Sequence, residues 1–251
     1  DLDLYIAKCR QFVNDPQDPR RVNQLWVNDG QGNYTEEAAE RGLVFFEQSW
    51  TADFGDIDND GDFDCLVTNH STTLLLLEND GTGHFTDITP GSGLEVTGFF
   101  LQAKLEDFDN DGFVDLVYSG GAHAFFHNNG DKTFSSGPNM FPYGDTMHSF
   151  ATGDVNRNGQ MDLYASYGNG YVTPDNGNAD VLWINQGNAD NHWVTLELEG
   201  FQSNRDAVGA TVEIVGSFGT QVRSVRAGES YGMTSTFSCH FGLGAEDMVE
   251  S

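Results

Sequence analysis

Basic residues are scarce. Lys and Arg together number 11 against 39 Asp and Glu, so the 251-residue chain carries a formal net charge of −28. A surface of that sign repels phosphate backbones and anionic lipid, which sets nucleic acid and membrane surfaces aside as partners. Cysteine is nearly absent: Cys9, Cys65 and Cys239 show no C-x-x-C spacing. An odd, low count fits neither a disulfide framework nor a zinc site. One disulfide with a free thiol stays open beside three buried thiols. Only 6 prolines occur. No apolar run approaches the ~20 residues of a membrane span, so direct insertion is not expected.

Glycine and aromatics are plentiful. The 30 glycines suit a fold of tight turns, and 19 Phe, 8 Tyr and 4 Trp point to packed cores rather than a charged, disordered chain. Much of the acid is gathered in a repeat. Asp56-Ile-Asp-Asn-Asp-Gly-Asp-Phe-Asp64 returns as Asp107-Phe-Asp-Asn-Asp-Gly-Phe-Val-Asp115 and again as Asp154-Val-Asn-Arg-Asn-Gly-Gln-Met-Asp162. The opening Asp1-Leu-Asp3 superposes on Asp62-Phe-Asp64, so the chain is expected to begin inside a fourth copy whose first six positions are missing.

Each acidic loop is followed by a short apolar run, at 4–7, 65–68, 116–119 and 163–166, and then by a second, at 24–28, 74–79, 124–128 and 181–185. Asn-Asp-Gly or Asn-Asn-Gly comes next and supplies the positive φ angles of a hairpin turn. Tyr34, Phe85 and Phe134 begin an outer strand, and residues 49–55, 100–106 and 147–153 form another before each loop. Four short antiparallel strands per ~50 residues is the size of a propeller blade. A sandwich need not repeat one loop in register, a parallel β-helix has shorter repeats, and helical repeats fail on the brief β-branched and aromatic runs. The expectation is an all-β chain. Residues 1–190 form β-propeller blades, incomplete in this fragment, and 191–251 a small β-sandwich-like module of alternating strands.

The loop spacing has a physical purpose. Side chains at positions 1, 3, 5 and 9, with the position 7 carbonyl, make an all-oxygen cage, and Gly at position 6 permits the reversal; hard oxygen ligands in a flexible cage suit Ca2+. An EF-hand would need Glu at position 12, where Val67, Tyr118 and Ala165 stand. Three sites are expected. The first is Asp56, Asp58, Asp60 and Asp64 with the Asp62 carbonyl. The second is Asp107, Asp109, Asp111 and Asp115 with the Phe113 carbonyl. The third, weaker for its two amides, is Asp154, Asn156, Asn158 and Asp162 with the Gln160 carbonyl. Asp1 and Asp3 would be remnants of a fourth. Three ions would bring the charge from −28 to −22, at two charges each.

The repeats resemble the FG-GAP/VCBS repeats of integrin-α-like propellers. Asn191-His-Trp, Ser203-Asn-Arg, Val208-Gly-Ala210 and His240-Phe-Gly-Leu-Gly244 resemble the ASPIC/UnbV module of the cartilage acidic protein family. The resemblance implies an extracellular or cell-surface, calcium-stabilised propeller, commonly seven-bladed. It leaves open adhesion, carbohydrate binding and catalysis on sugars.

Catalytic signals are weak. Gly228-Glu-Ser-Tyr-Gly232 matches a nucleophile elbow, but no helix pattern follows it. His123, His127 and His148 could bind zinc, though a surface or channel-lining role fits such a pair better. Asn33-Tyr-Thr35 and Asn69-His-Ser71 are glycosylation sequons. The reading is therefore a secreted or cell-surface binding or scaffold protein for a glycan or extracellular protein. The alternatives are a lyase-like carbohydrate enzyme using the propeller channel and a segment of a larger assembly. Strand directions put Trp50, His70, Gln102, His123, His148, Tyr167 and Asn169 at the end opposite the loops, the expected ligand face.

Overall fold

The apolar runs between the Gly- and Asn-rich turns are strands in the computed structural model, which describes residues 2–251 except 11, 16, 145, 169–176, 188, 189 and 231. Asp1, Asn169 and Tyr231 of the motifs above lie outside the described residues. The first blade has β1 (Leu4–Ile6), β2 (Gln24–Asn28) and β3 (Tyr34–Glu36). The second has β4 (Ser49–Gly55), β5 (Asp64–Thr73), β6 (Leu75–Asn79) and β7 (Phe85–Asp87). The third has β8 (Thr97–Glu106), β9 (Asp115–Gly120), β10 (Ala124–Asn128) and β11 (Phe134–Ser136). The fourth has β12 (Met147–Gly153), β13 (Asp162–Tyr167) and β14 (Val181–Trp183). Sequence neighbours within a blade pair antiparallel. This is an all-β, propeller-like fold, and among the described residues no sheet closes on itself.

Two strands run longer than their apolar pattern. β5 continues through polar residues to Thr73, and β8 begins at Thr97, so that His70 faces Phe99 and Thr73 faces Thr97. This pairing and the Met147–Gly120 pair join three blades in one 11-stranded sheet. The extension buries Asn69, whose amide donates to the Thr73 carbonyl at 2.9 Å and whose Oδ1 accepts from Ser49 at 2.9 Å. That sequon is therefore spent inside the sheet, while Asn33 is exposed.

The cores lie between blades. Leu25, Leu43, Cys65, Val67 and Leu77 fill the first gap. Ile57, Leu66, Leu76, Phe100, Leu116 and Phe134 fill the second. Phe108, Val117, Met147, Phe150 and Leu163 fill the third. A turn of one blade also meets the outer strand of the next: Phe85 N donates to Arg41 O at 2.8 Å, and Phe134 N to Ser92 O at 2.7 Å. Gly42 and Gly93 stand at these crossings with φ +78° and +84°, and a Cβ on either would sit 2.2 Å from the facing carbonyl oxygen. No other residue fits there.

Beyond the blades, β15 (His192–Leu196) pairs with β18 (Cys239–Gly244), and β16 (Thr211–Gly216) with β17 (Gly219–Ser224). Ile214, Val225, Cys239, Phe241 and Leu243 form their shared core. All three cysteines are free thiols, and Cys65 and Cys239 are buried. The segment after β17 lies against the first strands of the blades. Arg226 pairs with Asp53 of β4 at 2.8 Å, Glu229 with Lys104 of β8 at 2.7 Å, and Thr236 N donates to Thr152 O of β12 at 3.1 Å. Burial works against the Lys104 ammonium, but Asp53, Glu229 and Glu106 outweigh it and hold the pKa above the usual lysine range.

Asn128 is the most committed side chain of the blade frame. It is fully buried, donates to Ile57 O of the preceding blade at 2.8 Å and to Val114 O at 3.1 Å, and accepts from Gly130 N at 2.9 Å. Asn28 of the first blade holds the same place but is only partly buried. Asn128→Ala is expected to cost roughly 2–4 kcal/mol in urea unfolding, since buried partners are left unsatisfied, and Asn28→Ala less than half of that. Equal losses would show that the blade-to-blade bond carries no weight.

Candidate metal centres

The three acidic loops fold alike because their local chemistry repeats. Position 4 is left-handed in each, with φ 59° at Asn59, 62° at Asn110 and 60° at Arg157, and the glycine at position 6 follows suit. Side-chain oxygens cap the next turn: Asp60 accepts from Asp62 N at 3.1 Å, Asp111 from Phe113 N at 2.9 Å and Asn158 from Gln160 N at 3.0 Å. The ninth residue works in two directions. Asp64 accepts from Ile57 N and Asn79 N, Asp115 from Phe108 N and Asn128 N, and Asp162 from Val155 N and Asn185 N, at 2.7–3.3 Å. Asp3 accepts from Asn28 N at 2.8 Å, the same bond, as its alignment with Asp64 requires.

These loops gather charge that the protein alone does not balance. Asp56, Asp58 and Asp64 each place a carboxylate oxygen within 4.8 Å of the others, and Asp107, Asp109 and Asp115 do the same. In the first loop Asp56 Oδ1, Asp58 Oδ1 and Asp62 Oδ1 are buried with no hydrogen-bond partner. Burial, compounded by neighbouring carboxylates, pushes Asp56 and Asp62 up to about 6 and Asp64 up to about 8. Burial likewise pushes Asp115 up to about 8 and raises Asp107 and Asp111. A carboxylate is kept ionised in such a place by a cation. Partnerless oxygens on an all-oxygen donor set fit a hard divalent ion such as calcium.

The third loop fits less well. Asp154 accepts from Asn158 N at 3.0 Å and Gly159 N at 2.8 Å, as Asp107 accepts from Asn110 N and Gly112 N, but Asn158 turns its amide to Asn185 O at 3.0 Å. Two neutral amides, Asn156 and Asn158, replace two carboxylates, so the loop gathers less negative charge.

Two basic side chains, Lys132 and His127, stand near the loops without belonging to the loop motif. Lys132, from the β10–β11 turn, stands 2.6 Å from Asp58 and also pairs with Glu78, and these acids hold its pKa up. His127 Nδ1 lies 3.1 Å from Asp115 and 3.5 Å from Asp109, with Nε2 3.8 Å from Asp111. Glu78 and His127 occupy one place in the repeat, just before Asn79 and Asn128, and that register is a signal that could have found His127. His127 is thereby parted from His123, whose Nε2 lies 2.8 Å from Tyr143 O. The zinc trio is not assembled.

At the other strand ends the expected ligand residues fall in two groups. Trp50 stacks on His70 with centroids 4.4 Å apart, and His70 tilts onto Phe99 at 4.3 Å. His123 meets Tyr167 and Phe141 edge-on at 5.7 and 5.0 Å. His148, on β12, is partly buried. Gln102 is different: it is fully buried and clamps Phe150, donating to its carbonyl at 2.8 Å and accepting from its N–H at 3.1 Å. It ties β8 to β12.

Comparison with known families agrees with the repeat fold. A family model described as FG-GAP-like repeat matches residues 1–67, 56–118 and 107–165, and one described as ASPIC and UnbV matches residues 200–251. No curated protein matches the chain.

The raised carboxyl pKa values fix a sign. Between the unfolded pKa near 4 and the folded values of about 6 to 8, the metal-free native state binds more protons than the unfolded one. Stability without metal is therefore greatest at the acid end of that window and falls as pH rises through it. Melting temperatures in EDTA are expected to drop from pH 5 to pH 8, and added calcium to remove most of that slope. A flat EDTA profile would mean the loops are ordinary solvated turns.

Proposed function

The chain belongs to the FG-GAP-like repeat family, and on that premise we propose that it is a calcium-stabilised, secreted or cell-surface binding or scaffold protein that recognises a glycan or an extracellular protein. The repeats and the ASPIC and UnbV domain are an extracellular-type binding or scaffold architecture. No helix among the described residues is long and apolar enough to cross a membrane. The proposed division runs at residue 190, with blades before it and the module after it.

The observation that carries the metal part is the set of buried, partnerless oxygens on Asp56, Asp58 and Asp62. Asp60 and Asp64 complete the first site; Asp107, Asp109, Asp111 and Asp115 with the Phe113 carbonyl hold the second. The third, Asp154, Asn156, Asn158 and Asp162 with the Gln160 carbonyl, is the weakest. A bound calcium would supply positive charge, and the loops would supply its oxygen ligands in a fixed cage. Its role is structural, since each loop joins two strands of a blade.

A binding role is favoured over channel chemistry by the module. Arg226, Glu229 and Thr236 bond to the first strands of three blades, where a channel site would lie. The partner face is then the Trp50, His70, His123, His148 and Tyr167 end, with Gln102 as its buried brace. A stacked Trp–His pair offers a flat apolar platform with polar edges, suited to a sugar ring or a loop.

Trp50→Ala tests the face. It is expected to abolish binding on a glycan and extracellular-protein array while leaving calcium stoichiometry and the melting temperature near wild type. Unaltered binding by that variant would move the partner site elsewhere.

A further inference from the structure

The third loop also breaks the repeat at position 4. Position 4 is Asn59 in the first loop and Asn110 in the second, and each amide donates to the position 6 carbonyl of the following loop: Asn59 to Gly112 O at 3.2 Å, Asn110 to Gly159 O at 2.8 Å. Asn also tolerates the left-handed backbone found there. The third loop has Arg157, at φ 60° and exposed. A long side chain in that conformation is unfavourable, and a strained residue points to a task outside the fold. The Arg157 side chain makes no hydrogen bond or ion pair among the described residues.

It stands at a groove between the third loop and β15, of about 590 Å³, lined also by Asp154, Trp193, Thr195, Glu197 and Ser238. Trp193, Thr195 and Glu197 alternate and share one exposed face. The Trp193 indole lies directly on Gly159: a Cβ there would fall 1.8 Å from Cε2. Backbone thus fixes one side of the indole, while the side chain remains 44% exposed. Glu197, like Arg157, makes no hydrogen bond or ion pair among the described residues.

We propose that this groove binds a neutral saccharide, with Trp193 as the stacking platform and Arg157 and Glu197 as the pair that holds ring hydroxyls. A rigid, half-exposed indole takes the C–H face of a pyranose. A guanidinium donates to two neighbouring hydroxyls and a carboxylate accepts from two, which are the strong, charge-assisted bonds. Ser238 and Thr195 add neutral partners on the same wall. An acidic sugar is disfavoured, because Asp154 and Glu197 outnumber Arg157 and the whole chain carries −28. The site is separate from the Trp50 face and does not rest on it.

The test uses the calcium-loaded full chain, 15N-labelled, with cellotetraose, maltotetraose, mannotetraose and chitotetraose at millimolar concentrations. The chain has 4 tryptophans, and Trp193→Phe identifies the Trp193 indole N–H signal by its loss. At least one saccharide is expected to shift that signal saturably. Arg157→Asn restores the residue of the other loops and relieves the backbone, so it is expected to fold at least as well yet weaken binding about tenfold, as does Glu197→Gln, for each loses a charged hydrogen bond. No shift at Trp193 with any of the four overturns the proposal. So does a shift that Arg157→Asn and Glu197→Gln leave unchanged. A response confined to Trp50 also overturns it, while supporting the face at the other end.

Discussion

The last carboxylate of each acidic loop accepts one backbone N–H from the second residue of its own loop and another from an asparagine that ends the blade's third strand or, at Asn185, lies just past it. Two separate pieces of chain are thereby held to one side chain. The asparagine then passes the tie on, with Asn128 and Asn185 donating to the position 2 carbonyls of the preceding loops, Ile57 O and Phe108 O. Loop, blade and neighbouring blade share one hydrogen-bond circuit. Apolar packing fills the gaps between blades, but it does not set their spacing along the loops. Buried polar circuits of this kind specify a single arrangement only when every member is satisfied.

The same circuit concentrates negative charge. Its anchoring carboxylates are desolvated, with Asp64 and Asp115 essentially inaccessible, and further acids from positions 1, 3 and 5 crowd the same few ångströms. Hydrogen bonds from backbone N–H groups offset part of the repulsion, as does Lys132 beside Asp58. The first loop keeps three buried oxygens without partners even so. In the third loop two amides stand in place of acids, and Asn158 spends its amide on Asn185 O.

Much of this was legible in the chain, because turn chemistry is local. Asn-Gly and Asp-Gly mark hairpins wherever they lie, and a nine-residue acidic pattern repeated in register fixes where strands begin. What depended on spatial neighbours was not legible. The Thr72–Thr73 and Thr97 extensions form strands only because two blades bring them side by side. Gln102 looked like a polar end residue, yet the adjacent blade turns it into a buried clamp on Phe150. His127 sits in a strand, so its nearness to Asp115 emerges only when the strand folds back over the loop. The Asn69 sequon is correct as a string of letters and inaccessible as a surface.

The module's place follows from what the repeat leaves over. Position 4 side chains brace each loop on the next one, Asn59 on Gly112 and Asn110 on Gly159. The polar edge on the other side of the loops still needs partners. Module strands supply them: Val222 N donates to Asp56 Oδ2 at 3.2 Å, Thr220 N to Asn59 O at 3.3 Å and Gly244 N to Asn110 O at 2.8 Å, and His240 Nε2 lies 2.6 Å from Asn110 Oδ1. Burial holds the His240 pKa down to about 4, so the ring is neutral at physiological pH and joins this contact through hydrogen bonding rather than charge. The module therefore touches the loops mainly through backbone groups of β17 and β18, whose geometry is fixed by their own ladders. A loop that changed shape would lose these contacts together, which makes the acidic turns both the joints of the blades and the seat of the domain that follows them.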